Sequence, residues 1–366
     1  MAHGHARAAE PTEQVGAPPS RSRPRRALDA IDERMGIDAL KYPVPEHANN
    51  LGWSLGGLTA FTFVVLLVTG IYLAQFYNPM PEAANQSVRD ITTNVWLGNF
   101  TRGVHFWAAQ AMYVFVILHM VRVFFHASYK RPREGNWLIG VAMFALVFLA
   151  IFTGTVLKWD QEGFEALGHN IELGELLGGL GFWFTPDMAD KVPILVRLYV
   201  AHAVLIPGLI LGLVVWHALL VKRHRISPHP ALPATSVETK LEAQEPFTHH
   251  IRRVVAFGLV ALGAFGVLAL LFPPVVGPTP VEGIEVTKPL WIYWWMYTLE
   301  NWFGLPAILW GSGILFGLLV LIPFVDRSPN RYWRDRKIAL VLGALLLATM
   351  VILSLLMLGT TPESHM

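Results

Sequence analysis

Seven stretches of the chain stay apolar long enough to cross a hydrocarbon core, and polar segments separate them. They cover residues 52–76, 104–125, 138–157, 196–221, 252–273, 303–325 and 338–358. Each approaches or exceeds the roughly 20 helical residues that a core of about 30 Å requires. With 54% of its 366 residues hydrophobic, the chain is too apolar for a soluble globule. The expected fold is all-α: a polytopic membrane helical bundle of about seven transmembrane helices.

Charge in the loops sets the expected orientation, because Lys and Arg are retained on the cytoplasmic side. Arg21, Arg23, Arg25 and Arg26 precede the first span, Lys130, Arg131 and Arg133 follow the second, and Lys222, Arg223 and Arg225 follow the fourth. Arg327, Arg331, Arg334, Arg336 and Lys337 follow the sixth. Residues 160–190 hold Asp160, Glu162, Glu165, Glu172, Glu175, Asp187 and Asp190 without one Lys or Arg. Seven spans with the N-terminus inside satisfy every loop, as for an integral protein of a bacterial cytoplasmic membrane. The formal net charge of +2 averages two oppositely charged faces.

Residues 1–26 lack the apolar core of a cleavable signal and read as a disordered basic tail. Residues 27–43 place Leu28, Ile31, Met35 and Leu40 near one side of an amphipathic surface helix. The chain has no cysteine, so disulfides, iron–sulfur ligation and thioether-attached haem are excluded within it. Any such centre belongs to a partner.

Two apolar spans carry paired histidines. His105 and His119 lie fourteen residues apart in the second span, and His202 and His217 lie fifteen apart in the fourth. At 1.5 Å per residue each pair is separated by roughly 21–23 Å along its helix, and departs from whole turns by only about 40–60°. The two spans run the same way, so His105 stands level with His202 near the outer face and His119 with His217 near the inner face. Facing imidazoles on two helices make a bis-histidine axial site for haem, and this arrangement makes two. Ligation also removes the cost of leaving a ring nitrogen unsatisfied in lipid. The first four spans thus read as a dihaem four-helix bundle holding two non-covalent b-type haems.

Glycines repeat the interval: Gly56 and Gly70 are fourteen apart in the first span, as are Gly140 and Gly154 in the third. A helix that passes the edge of a flat porphyrin must present little side chain, although small residues also pack ordinary membrane helices. Arg102 precedes His105 by three residues and Arg122 follows His119 by three, where each can meet a haem propionate through a charge-assisted hydrogen bond. The alternative for both is interfacial snorkelling.

These residues resemble the cytochrome b family of quinol-oxidising bc and b6f complexes, and a fusion of cytochrome b6 with subunit IV in particular. The motifs KYPVPEH (41–47), LGG (55–57), RGVHFW (102–107), LHMVRV (118–123), KRPRE (130–134), TGTVLKWDQ (153–161), RLYVAHAVLIP (197–207) and LIPFVDRSPN (321–330) fall in family order. The resemblance implies a b6-like dihaem bundle over 44–222, an inner linker over 223–250 and a subunit IV-like three-helix domain over 251–366. It further implies a quinol pocket near the outer haem, a quinone pocket near the inner one, and a homodimeric complex. Its expected partners on the outer face are a Rieske-type iron–sulfur subunit and a c-type cytochrome, with membrane quinone as substrate, the lipid bilayer around it and no nucleic acid. The b6 branch attaches an extra c-type haem through a cysteine where this chain has Ser54, so that haem is not expected.

Two departures bear on the outer pocket. The family's Pro-Glu-Trp-Tyr motif aligns with Pro289, Leu290, Trp291 and Ile292, and leucine cannot accept a proton. Beside Trp159 the family's Leu-Pro-Trp becomes Leu157-Lys158-Trp159, which adds a cation. Asp160, Glu162 and Glu300 are the candidate replacement acids. The Trp291 region reads equally as a pocket wall or as an interfacial aromatic belt. Leu290 favours a simpler relay, from an outer c-type cytochrome to an inner quinone site, whereas Trp159-Asp160-Gln161 and the overall resemblance favour quinol oxidation. A non-redox transporter or scaffold, its histidines lining a polar path, is the alternative from another class.

Overall fold

The computed structural model describes residues 31, 32, 34, 42–229 and 244–360. Residues 1–42 separate as one unit and 43–366 as another. In the first, Ile31, Asp32 and Arg34 are helical. The tail expected over 1–26 and most of the surface helix expected over 27–43 lie outside the described residues, as does the linker between 230 and 243.

The second unit runs as helices α1 (Leu51–Ala74), α2 (Pro81–Thr93), α3 (Gly98–Phe125), α4 (Glu134–Val156), α5 (Gln161–Leu176), α6 (Ile194–His224), α7 (Phe247–Leu271), α8 (Trp294–Phe303), α9 (Pro306–Val325) and α10 (Lys337–Leu356). All but α2, α5 and α8 are long and apolar enough to cross a membrane, which gives the seven spans read from the sequence. A short antiparallel pair, β1 (Pro43–Pro45) with β2 (Gln244–Pro246), joins the chain entering α1 to the chain entering α7.

Helix starts follow local chemistry. The Asn50 side chain accepts from the Trp53 amide at 3.0 Å and begins α1, and Asp160 accepts from the Gly163 amide at 3.1 Å and begins α5. Helix α3 starts six residues before its apolar run, so Arg102 and Thr101 belong to its first turns.

Helix α1 packs on α3, α4 on α6, and α7 against both α1 and α3. Small residues permit the last contact. A β-carbon on Gly57 would come within 2.6 Å of Val254, and one on Gly258 would overlap the Phe61 ring.

The loops at the end of the bundle that carries α5 are stitched together by side chains. Residues 273–290 form no regular element, and their backbone groups need partners. Helix α5 supplies many of them. Gln161 bonds the Val281 amide at 2.7 Å and the Val281 and Ile284 carbonyls, while the Glu165 carboxylate accepts from the Val286 and Thr287 amides and the Thr287 hydroxyl. Asp160 accepts from the Gly277 amide at 2.9 Å, and Arg89 donates to the Gly277 carbonyl at 2.6 Å. On the opposite side, Lys130 pairs with Asp326 at 2.7 Å and Arg336 with Asp326 at 3.1 Å, tying the α3–α4 loop to the α9–α10 loop.

Candidate functional site

His105 and His202 face each other across α3 and α6, with ring centroids 6.3 Å apart and planes inclined by 65°. His105 Nδ1 lies 2.9 Å from the Thr69 hydroxyl, and His202 Nδ1 lies 3.0 Å from the Thr153 hydroxyl. Each hydroxyl donates its own proton to a carbonyl of its helix, Thr69 to Val65 and Thr153 to Leu149 or Ala150. The imidazole is therefore the donor through Nδ1–H, which fixes the tautomer and leaves the Nε2 lone pair for a metal. Metal–imidazole bonds of about 2.0 Å fit between two rings at this separation.

The fifteen-residue interval in α6 has a structural cause. Ala201–Leu205 form a π turn, which takes one extra residue into the helix at His202. Pro207 follows at once, and its missing N–H cannot bond the Ala203 carbonyl. With one residue absorbed, His202 keeps the facing that an uninterrupted fourteen-residue interval would give.

Three of the four glycines abut the imidazoles themselves rather than only leaving room for a porphyrin edge. A β-carbon would stand 2.9 Å from His119 if placed on Gly56, 3.3 Å from His105 on Gly70 and 2.9 Å from His202 on Gly154. Gly140 meets no protein atom within 4 Å. The contacts sort the residues into two tiers, one with Thr69, Gly70, His105, Thr153, Gly154 and His202, the other with Trp53, Gly56, His119 and Arg122.

In the second tier the Nδ1 atoms of His119 and His217 are buried without a hydrogen-bond partner among the described residues. The Arg122 guanidinium lies over the Trp53 ring, 3.1 Å from its centroid, with Nε and Nη2 buried and likewise unpaired. A buried cation with two unused donors suits an anionic group such as a propionate. Arg102 instead donates to the Pro274 carbonyl, which anchors the 273–290 loop. The donor set, two tiers of two neutral imidazoles with small residues against them, fits two b-type haems: His105 and His202 would hold one, His119 and His217 the other.

A cavity of about 420 Å³ opens between α4, α5 and the chain from Glu285 to Tyr297, at the end of the bundle that carries α5. Pro289, Leu290 and Glu162 line it. Trp291 turns away to line a larger apolar crevice of about 1270 Å³ beside α9 and α10, and its indole donates to Gln110 at 2.6 Å. Trp159 takes a left-handed backbone conformation, φ 49°, at the turn from α4 to α5, and packs on Phe164.

The three candidate acids occupy different places. Asp160 is buried, caps α5 and holds the Gly277 amide, so both its oxygens serve the backbone. Glu162 forms an ion pair with Lys158, which also approaches Asp160 at 3.3 Å. Glu300 is 1% exposed on α8 and lies 3.1 Å from His169 Nε2.

His169 and Glu285, whose carboxylate is 3.6 Å from the same nitrogen, both line the cavity. Burial alone would lower the His169 imidazole, but Glu300, the Glu165 carbonyl and Glu285 push it up to about 9. Neither His169 nor Glu285 emerges from sequence reasoning. The usable signal was a lone histidine in an acid-rich, base-free loop.

The sequence matches the family model described as cytochrome b/b6/petB over residues 39–225. It is 32% identical over 218 residues to the menaquinol:cytochrome c reductase cytochrome b subunit of Bacillus subtilis, which covers 55% of this chain and 97% of that one. Over 336 residues it is 30% identical to the cytochrome bc complex cytochrome b subunit of Chlorobaculum thiosulfatiphilum, covering 86% of this chain and 76% of that one. A solved structure of a hyperthermophilic respiratory Complex III shares the fold, with a TM-score of 0.78, 22% identity and 92% of both chains covered. Two histidine tiers on α3 and α6, seven spans and matches that reach from the first helices through the subunit IV-like region lead to one conclusion: the chain belongs to the cytochrome b/b6 family.

Proposed function

We propose that this protein is the dihaem cytochrome b subunit of a membrane quinol:acceptor oxidoreductase, with its N-terminus inside a bacterial cytoplasmic membrane. It passes electrons between quinone in the bilayer and an outer partner bearing a Rieske-type or c-type centre, in a complex that is dimeric by family analogy. The facing of His105 and His202, each fixed through Nδ1 by a threonine of a neighbouring helix, carries this reading.

When bound, the two haems supply one-electron redox centres in series across the membrane. The chain's own residues do the rest. Thr69 and Thr153 orient the outer imidazoles and fix their protons at Nδ1. Arg122 offers two buried donors at the inner tier. The cavity beside Leu290 is of a size that takes a small cofactor or substrate ring. Its apolar walls, Phe148, Phe152 and Phe316, exclude water, and Glu162, which is paired with Lys158, lines it too.

Leu290 gives specific support to a second reading, a relay from an outer cytochrome to an inner quinone site without quinol oxidation in this cavity. Reduced-minus-oxidised absorption and quinol turnover of the purified complex test both. Two b-type components with quinol oxidation are expected. Two components reducible only through the cytochrome partner would establish the relay, and the absence of any b-type band would remove the redox reading.

A further inference from the structure

Helices α9 and α10 are consecutive spans joined by residues 326–336, yet they scarcely touch along their lengths. Helix α10 rests on α8 instead, and it meets α3 at Gly343, where a β-carbon would overlap the Phe124 ring at 2.3 Å. The crevice of about 1270 Å³ occupies the gap. Neighbouring helices usually pack with axes roughly 8–10 Å apart, and folded proteins tolerate few voids, so a space this large between two spans needs an occupant.

We propose that the crevice is a binding site for an anionic phospholipid, with its acyl chains between α9 and α10 and its phosphate at Arg334 and Lys337. The walls suit the chains. On α10 the lining positions Ile338, Leu342, Leu346 and Met350 recur every four residues as one stripe, and Leu315 and Leu319 of α9 stand across from them. The stripe is about 18 Å long, which exceeds the roughly 15 Å that the chains of one leaflet occupy.

Charge at the end of the crevice suits the phosphate. Residues 326–337 carry Arg327, Arg331, Arg334, Arg336 and Lys337 against Asp326 and Asp335, an excess of three positive charges. Asp326 is already paired with Lys130 and Arg336, and Arg336 also donates to the Phe124 and Phe125 carbonyls. Arg334 and Lys337 stand differently. Both line the crevice, both are exposed, and neither forms an ion pair among the described residues.

Depth agrees with charge. Tyr332 and Trp333 are exposed beside these cations, and the Arg334 guanidinium carbon lies 5.2 Å from the Trp333 ring centroid. Exposed aromatics at the end of a span mark the headgroup level, which is where a lipid phosphate sits. An apolar helix from another subunit would cover the walls and leave Arg334 and Lys337 without a counter-charge. An anionic lipid supplies chains and counter-charge together.

The test is photo-crosslinking of the whole complex in vesicles of phosphatidylcholine mixed with phosphatidylglycerol, with the adduct identified by its mass. A benzophenone side chain replaces Leu346, or Met350 as a second position inside the crevice, and Leu345, exposed and outside the lining, reports the bulk lipid. The crevice positions should capture phosphatidylglycerol in excess of its share of the bilayer, and Leu345 should show no preference. Arg334→Gln or Lys337→Gln should each lower that excess about fivefold, because a basic group near a membrane surface contributes about that factor. The same headgroup ratio at Leu346 and Leu345 overturns the site, and so does an excess that survives loss of both cations. Crosslinking of Leu346 to a peptide of another subunit or of a second copy overturns it as well.

Discussion

The Thr69 hydroxyl stands 2.9 Å from His105 Nδ1, on a different helix, and settles which nitrogen of the imidazole carries the proton. Thr153 repeats the arrangement for His202 at 3.0 Å. Threonine is β-branched and stiff at χ1, and its hydroxyl already bonds the preceding turn, so each acceptor is pre-positioned.

Thr69→Val keeps the shape and deletes the hydroxyl acceptor, which leaves the His105 ring only the Leu66 carbonyl as a partner. Loss of such an outer partner typically weakens metal affinity about 10–100-fold. Haem retention during purification, followed by absorption, should fall for the outer component alone. The inner tier lies roughly 21 Å away along α3 and should keep its band.

The glycines predict which haem fails. Gly154→Ala places a β-carbon 2.9 Å from His202, and Gly56→Ala places one 2.9 Å from His119. Because these helices are packed, the ring must turn away from its ligating position. Redox-titrated spectra should lose or shift the outer component in Gly154→Ala and the inner one in Gly56→Ala.

Arg122→Met removes a buried cation held over Trp53. A cation stabilises the reduced, less positive haem, so its loss should lower the inner midpoint potential. About 1.5 kcal/mol, the low end for one hydrogen bond to a charged group, corresponds to about 65 mV for a one-electron couple. Potentiometric titration checks the sign and the site.

Much of this was readable in the chain. The seven apolar runs, the paired histidines and the fourteen-residue glycine interval are local periodicities, and helix geometry converts them directly into faces and depths. For the fifteen-residue interval in α6 the same geometry gives the shared side, but not the π turn that absorbs the extra residue, which is visible in the backbone and not in the pattern. Thr69 and Thr153 do not stand out in the sequence, since apolar spans carry many hydroxyls, and only the packing of α1 on α3 and α4 on α6 tells which of them meets an imidazole. His169 and Glu285 meet through the folding of an irregular loop onto α5, which no periodicity encodes.

The His169–Glu300 pair makes the outer cap sensitive to alkali. The imidazole is raised to about 9 in the folded protein, so its stabilising contribution is complete below the ordinary value of about 6.5 and is lost as pH rises through 9. Amide exchange in α5 and the 273–290 loop should quicken over that window. His169→Gln should flatten the dependence.

The account turns on four imidazoles holding two haems, and spectroelectrochemical titration of the His202→Leu complex tests it most directly. One b-type component should vanish while the other, held by His119 and His217, keeps its spectrum. Two components with unchanged spectra and potentials would contradict it.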